Sequence, residues 1–161
     1  MPERIQRVIA PLPAASPEIG KWLWALEETR ARTKRMIASV TQDELDALPT
    51  GFDNAIGTLL YHIALIESDY LCIDVMGLDD YLPELKANFP ILADRTEDGR
   101  LVIVRGVPLD EHLRRLDLVR EELIAHFATM TAEAASRARP FPEWDYDISP
   151  EWTLFHLTQH E

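Results

Sequence analysis

Apolar side chains recur at helical spacing in three long stretches of the chain. In the first, Ile19, Trp22, Leu23, Leu26, Thr33, Met36, Ile37 and Val40 form a stripe. Lys21, Glu27, Glu28, Arg30, Arg32, Lys34 and Arg35 fill the positions between them. This pattern predicts a long amphipathic helix with one face against a core. Ser16-Pro17-Glu18 marks its start with a capping hydroxyl, a first-turn proline and a first-turn acid. Thr41-Gln42-Asp43-Glu44 has the spacing of a capping box and predicts a short helix running to Pro49.

The second stripe, announced by Gly51 and Asp53, is Phe52, Ile56, Leu59, Leu60, Ile63, Ile66, Tyr70 and Ile73, ending near Gly77. The third follows Pro108 with Leu109, Leu113, Leu116, Val119, Leu123, Phe127 and Met130, and ends before Pro140. After the proline-rich, aromatic connection PFPEWDYDI, Ser149-Pro150-Glu151 repeats the opening signal and predicts a fourth helix. The stretch 78–108 is irregular. Within it DDYLPELKANFP suits one short helix, and EDGRLVIVRG suits a small hairpin or extended piece turning at Asp98-Gly99. Four helices with one apolar face each bury those faces most simply on one another. The expected fold is therefore an all-α four-helix bundle, a single domain over 1–161, with an irregular crossover around 78–108.

Composition narrows the partners. The 161 residues are 47% hydrophobic and 27% charged, as in a globular domain. A formal net charge of −12 argues against nucleic acid and against an anionic membrane surface, and is first of all a solubility feature. Cys72 is the only cysteine, so no internal disulfide forms, and its apolar surroundings suit an inert buried thiol. The N-terminal stretch has no signal-peptide core. No stretch reads as the roughly 20 apolar residues that span a bilayer. The expected location is the cytoplasm.

The candidate chemistry lies in the histidines. His156 and His160 stand four apart and share a helix face, so both imidazoles can reach one ion. A further ligand must come from a facing helix, and His62 is the candidate, since its own face carries Ala55, Thr58, Leu59, Leu65, Ile66 and Asp69. Spacing alone leaves two readings open, a metal pair and ordinary hydrogen-bonded core histidines. His112, among Glu111, Arg114 and Arg115, reads as solvated, and His126 reads as a surface partner of Glu122. Other chemistries fit less well. No histidine of the three follows a Glu by three residues, as di-iron bundles require. The glycines are scattered rather than gathered in a phosphate loop. Cys72 lies about 15 Å along the helix from His62, too far for a thiol–imidazole pair. The four tryptophans, Trp22, Trp24, Trp144 and Trp152, read as core and edge packing.

The long first helix, the segment GFDNAIGTLLYHIALIESDYL and the late WTLFHLTQHE together resemble the DinB/YfiT-like metalloenzyme family over most of the chain. His62 followed by Glu67, and the terminal His-x-x-x-His-Glu, carry the likeness. The resemblance implies a four-helix bundle with a mononuclear site of three histidines, here His62, His160 and His156. It implies zinc or nickel, with iron as a further option, and for some members S-transfer using a low-molecular-weight thiol. In many members the last helix runs on to a further histidine four residues beyond the position of His160. The alternative ligand pair is then His160 with a residue past Glu161, and the expectation is that the last helix continues beyond this chain. Neither Gly, Asn nor a basic residue closes that helix, and Glu161 has the wrong sign for its C-terminal end.

Three histidines leave a coordination position open for water or substrate. The expected function is that of a metal-dependent transferase or hydrolase acting on a small molecule. Its pocket would be lined by Tyr61, Trp152 and Phe155, and the protein could form a homodimer. Asp69 reads first as a solvated helix-end acid and second as a group that orients a ligand or takes a proton. The alternative function is a non-catalytic binding or interaction bundle with a degenerate metal site.

Overall fold

The computed structural model describes residues 4, 6–141 and 145–161. The chain is 56% helix and 4% strand, so the all-α expectation holds. The helices are α1 (Pro17–Ile37), α2 (Gln42–Asp46), α3 (Ile56–Asp69), α4 (Pro83–Lys86), α5 (Leu109–Ala128), α6 (Ala132–Ser136) and α7 (Pro150–His160). A π-helical turn, Tyr70–Val75, extends α3 without a break. β1 (Arg139–Pro140) and β2 (Asp147–Ile148) form a two-residue antiparallel ladder that no periodicity announced. Trp144, expected to serve in packing, lies outside the described residues.

The local signals act as expected. Ser16, Thr41 and Ser149 each accept a backbone N–H at the start of α1, α2 and α7, and Thr41 and Glu44 complete the capping box. Asp98-Gly99 turns a small hairpin closed by the Arg95–Leu101 bridge, with Gly99 at φ 81°. The third predicted helix is divided: α5 stops at Ala128, and Thr131 caps the separate α6.

Four long elements form the bundle. α3 packs chiefly on α5, α7 chiefly on α1, and α1 also meets α5. Leu23, Leu26, Leu116, Val119, Leu123, Phe127 and Leu154 are fully enclosed between them, each worth about 1.5–3 kcal/mol of transfer free energy. The irregular stretch 78–108 is no bystander. It adds Leu85, Phe89, Leu101 and Val104 to the core. Tyr61 anchors it, its hydroxyl donating to Ile91 O (2.7 Å) and accepting from Ile91 N (2.9 Å). Arg115 lies over the Tyr61 ring at 5.0 Å.

Three expectations are corrected by this packing. The buried face of α3 is Gly57, Leu60, Tyr61, Ala64, Leu65 and Ser68, whereas Phe52 and Leu59 of the predicted stripe are exposed. His112 is not solvated but 2% exposed, on the core side of α5. Burial holds its pKa down at about 4, with the Arg115 charge adding to the effect. Third, one segment does have the length and composition of a membrane span: Ile56–Val75, 20 residues of mean hydropathy 1.3. It carries His62, Glu67, Asp69 and Asp74 and is 56% buried in the bundle, as the central helix of a helical protein is.

Candidate metal centre

α3 and the last turn of α7 bring His62 and His160 together. Their Nε2 atoms lie 3.1 Å apart although 98 positions separate them in the chain. The other side of His62 is fixed too: its Nδ1–H donates to Oδ1 of Asp94, in the loop before the small hairpin. A carboxylate accepts, so Nδ1 carries a proton and Nε2 is the nitrogen turned toward His160. Burial, helped by the nearby His62 and His156, lowers the His160 pKa to about 4, so this imidazole is neutral at pH 7. Neutral imidazole is the ligand form.

These two donors fit a transition metal. With metal–nitrogen bonds of about 2.1 Å, nitrogens 3.1 Å apart subtend an angle of roughly 95°, a normal value for neighbouring ligands. Asp94 occupies the place of the carboxylate that orients metal-binding histidines in many proteins. Sequence reasoning missed it, because it lies in a stretch without period.

A family model described as the DinB superfamily matches residues 25–161. The chain belongs to the DinB superfamily. Comparison with curated proteins gives no match. The superfamily is often metal-associated.

In this DinB bundle His156 takes a different place from the other two histidines. Its ring stacks on Trp152, with centroids 4.9 Å apart and planes 7° apart, and packs on Tyr70 at 5.0 Å. Its centroid is 5.7 Å from that of His160. His156 thus flanks the pair rather than closing on it, and among the described residues no cluster of three or more His, Cys, Asp or Glu is arranged to hold an ion. The small cavity beside His62 is lined by Thr58, Tyr61, Leu65, Ala93, Asp94, Leu101 and Val102. Tyr61 therefore lies on that side. Phe155 instead meets Trp22 edge-on at 6.0 Å, so the three expected lining rings do not share one wall. His126 packs edge-on against Phe127 at 6.0 Å, and no ion pair with Glu122 forms among the described residues.

Asp69 departs from the solvated acid expected of it. It accepts a 2.9 Å hydrogen bond from the Tyr81 hydroxyl. Burial, with the charge of Asp94 nearby, pushes its pKa up. Asp74, on the π-helical turn, is raised to about 6 by burial and by Asp69. An acid held near pH 6, as Asp74 is, can give or take a proton close to neutral pH.

Beneath the histidines lie four buried charges. Glu67, Glu161, Arg30 and Arg120 have side chains 4% exposed or less. Arg30 binds Glu67 and Glu161, each at 2.7 Å. Arg120 binds Glu67 at 2.6 Å, Glu161 at 3.1 Å and Glu27 at 3.2 Å. Burial opposes charge on Glu67, yet Arg120 and Arg30 hold its carboxyl below the usual range. Arg30, expected among the solvated positions of α1, is instead 3% exposed on the core stripe. Glu161 has the wrong sign for the helix dipole, but two guanidiniums outweigh that.

Proposed function

We propose that this DinB protein is a metal-dependent enzyme whose divalent ion is held by His62 and His160, with His156 as the third ligand. The observation that carries this reading is the 3.1 Å approach of two Nε2 atoms, one of them oriented by Asp94. Zinc or nickel suits two or three neutral imidazoles, and iron is a further candidate. The chemistry that such an ion supplies when bound is a lowered pKa for water or a thiol. The chain's own residues do the rest. Asp94 keeps the His62 lone pair on the inner side. The hydrogen-bonded Tyr81 and Asp69 offer a proton site, and the rings of Trp152 and Tyr70 form an apolar wall against His156. The substrate is a small molecule, and S-transfer with a low-molecular-weight thiol or hydrolysis are the reactions that fit. A cytoplasmic location, a homodimer and no nucleic-acid partner complete the proposal, the last from the net charge of −12.

A second reading is favoured by one observation, the separation of His156 from the other two rings. On that reading the bundle is a non-catalytic binding or interaction module. Elemental analysis of protein purified without a histidine tag discriminates the two. The enzyme reading expects close to one equivalent of a transition metal, lost in His62→Ala and His160→Ala. A protein that stays metal-free after incubation with zinc, nickel and iron(II) rejects it.

A further inference from the structure

We propose that Arg30 and Arg120 are positioning residues for the imidazole pair, holding His160 against His62 through Glu161 and Glu67. The inference rests on the metal-site reading above. α3 carries His62 and Glu67, and α7 carries His160, with Glu161 next in the chain. These two helices pack chiefly on other partners, α3 on α5 and α7 on α1. Their histidines nevertheless meet at 3.1 Å.

α7 also touches the π-helical extension of α3, where His156 packs on Tyr70, and the arginines add a charged link at the level of His160. Arg30 comes from α1 and donates Nη2 to Glu67 and Nε to Glu161, both at 2.7 Å. Arg120 comes from α5 and donates Nε and Nη2 to Glu67 and Nη2 to Glu161, at 2.6, 3.0 and 3.1 Å. Two carboxylates that would repel each other are thus bridged twice, by cations on the two helices that bear no histidine of the pair. Arg30 is itself held in place by Nη1, which donates to Leu116 O at 2.6 Å. Glu161 directly follows His160, and Glu67 stands five positions after His62. The planar, forked guanidinium gives this bridge a fixed geometry that an ammonium could not. Ion affinity depends on that geometry, because imidazoles displaced by about 1 Å or misoriented bind a shared ion more weakly.

The test compares cobalt(II) affinity and visible absorption in the wild type and in the double variant Arg30→Met/Glu161→Leu. That variant removes one cation and one anion together and leaves the Arg120–Glu67 pair neutral. Replacing a buried ion pair by apolar groups is generally tolerated by the fold. The variant is expected to melt within a few degrees of wild type while its cobalt(II) dissociation constant rises about 10–100-fold. Gly20→Ala, remote from the histidines, serves as the control for general destabilisation and should keep wild-type affinity. Wild-type affinity and an unchanged cobalt spectrum in a folded double variant overturn the proposal and leave the metal site standing. A wild type that binds no cobalt(II) takes down the site and this inference together. If the double variant does not fold, the wild type decides. Zinc should slow solvent exchange of the Arg30 Nε proton, and an unchanged rate overturns the proposal.

Discussion

Glu67 is the group whose loss the bundle should feel most. Its Oε1 accepts from Arg120 Nε at 2.6 Å, and its Oε2 accepts from Arg30 Nη2 at 2.7 Å and Arg120 Nη2 at 3.0 Å. In Glu67→Gln the shape persists, but a carboxylate becomes an amide whose NH2 must face a guanidinium. Two buried arginines then share Glu161 and the half-exposed Glu27. Removing one partner of a buried ion pair costs roughly 3–5 kcal/mol, because the remaining charge stays desolvated and unpaired. For a domain of this size each kcal/mol moves the melting temperature by about 2–4 °C, so a fall of roughly 6–20 °C is expected. Circular dichroism at 222 nm follows the transition directly. Glu67→Leu/Arg120→Leu completes the comparison. It deletes one charge of each sign, leaves Arg30 with Glu161, and should melt well above Glu67→Gln. A shift below about 2 °C in Glu67→Gln would refute the reasoning, since it would mean that the arginines are not desolvated as the structure has them. A double variant as unstable as the single one would refute the attribution to unpaired charge.

Other consequences can be checked with ordinary assays. His112 and His160, each held near pKa 4 by burial, stay neutral in the native state where the unfolded chain, titrating near 6.5, takes up protons. Their contribution should therefore be complete above pH 6.5 and decline as the pH falls toward 4, by roughly 1–3 kcal/mol for His112, while the raised Asp74 contributes with the opposite sign. Urea titrations across that range should show a shallower slope in His112→Leu, and an identical slope would reject the assignment. Asp94→Asn should weaken cobalt(II) binding about 10–100-fold by loosening His62, as measured by absorption titration. A Cβ on Gly20 would meet Leu12 O at 2.4 Å, so Gly20→Ala should cost roughly 1–3 kcal/mol, read as a lower urea midpoint. Tyr61→Phe leaves both backbone groups of Ile91 without their partner and should cost about 1–3 kcal/mol by the same measure.

Local chemistry was legible along the chain. Caps at Ser16, Thr41 and Ser149 need only neighbouring backbone N–H groups, and amphipathic stripes on α1 and α5 need only a period, so both could be read from residues a turn apart. The conjunction of His62 with His160 was legible too, from family likeness and shared helical phase. The tertiary structure decided the remainder. The α3 segment is apolar around most of its circumference, so no period distinguished Leu60 and Leu65, which are buried, from Leu59, which is not. Asp94 lies in a loop whose backbone follows no repeat, and only its approach to His62 gives it a role. Arg30, Arg120, Glu67 and Glu161 looked like four unrelated charges because 37 to 131 positions separate the partners of Arg30 from it. A charge on a helix favours water unless an opposite charge arrives from elsewhere in the fold, and that arrival is a property of three-dimensional packing.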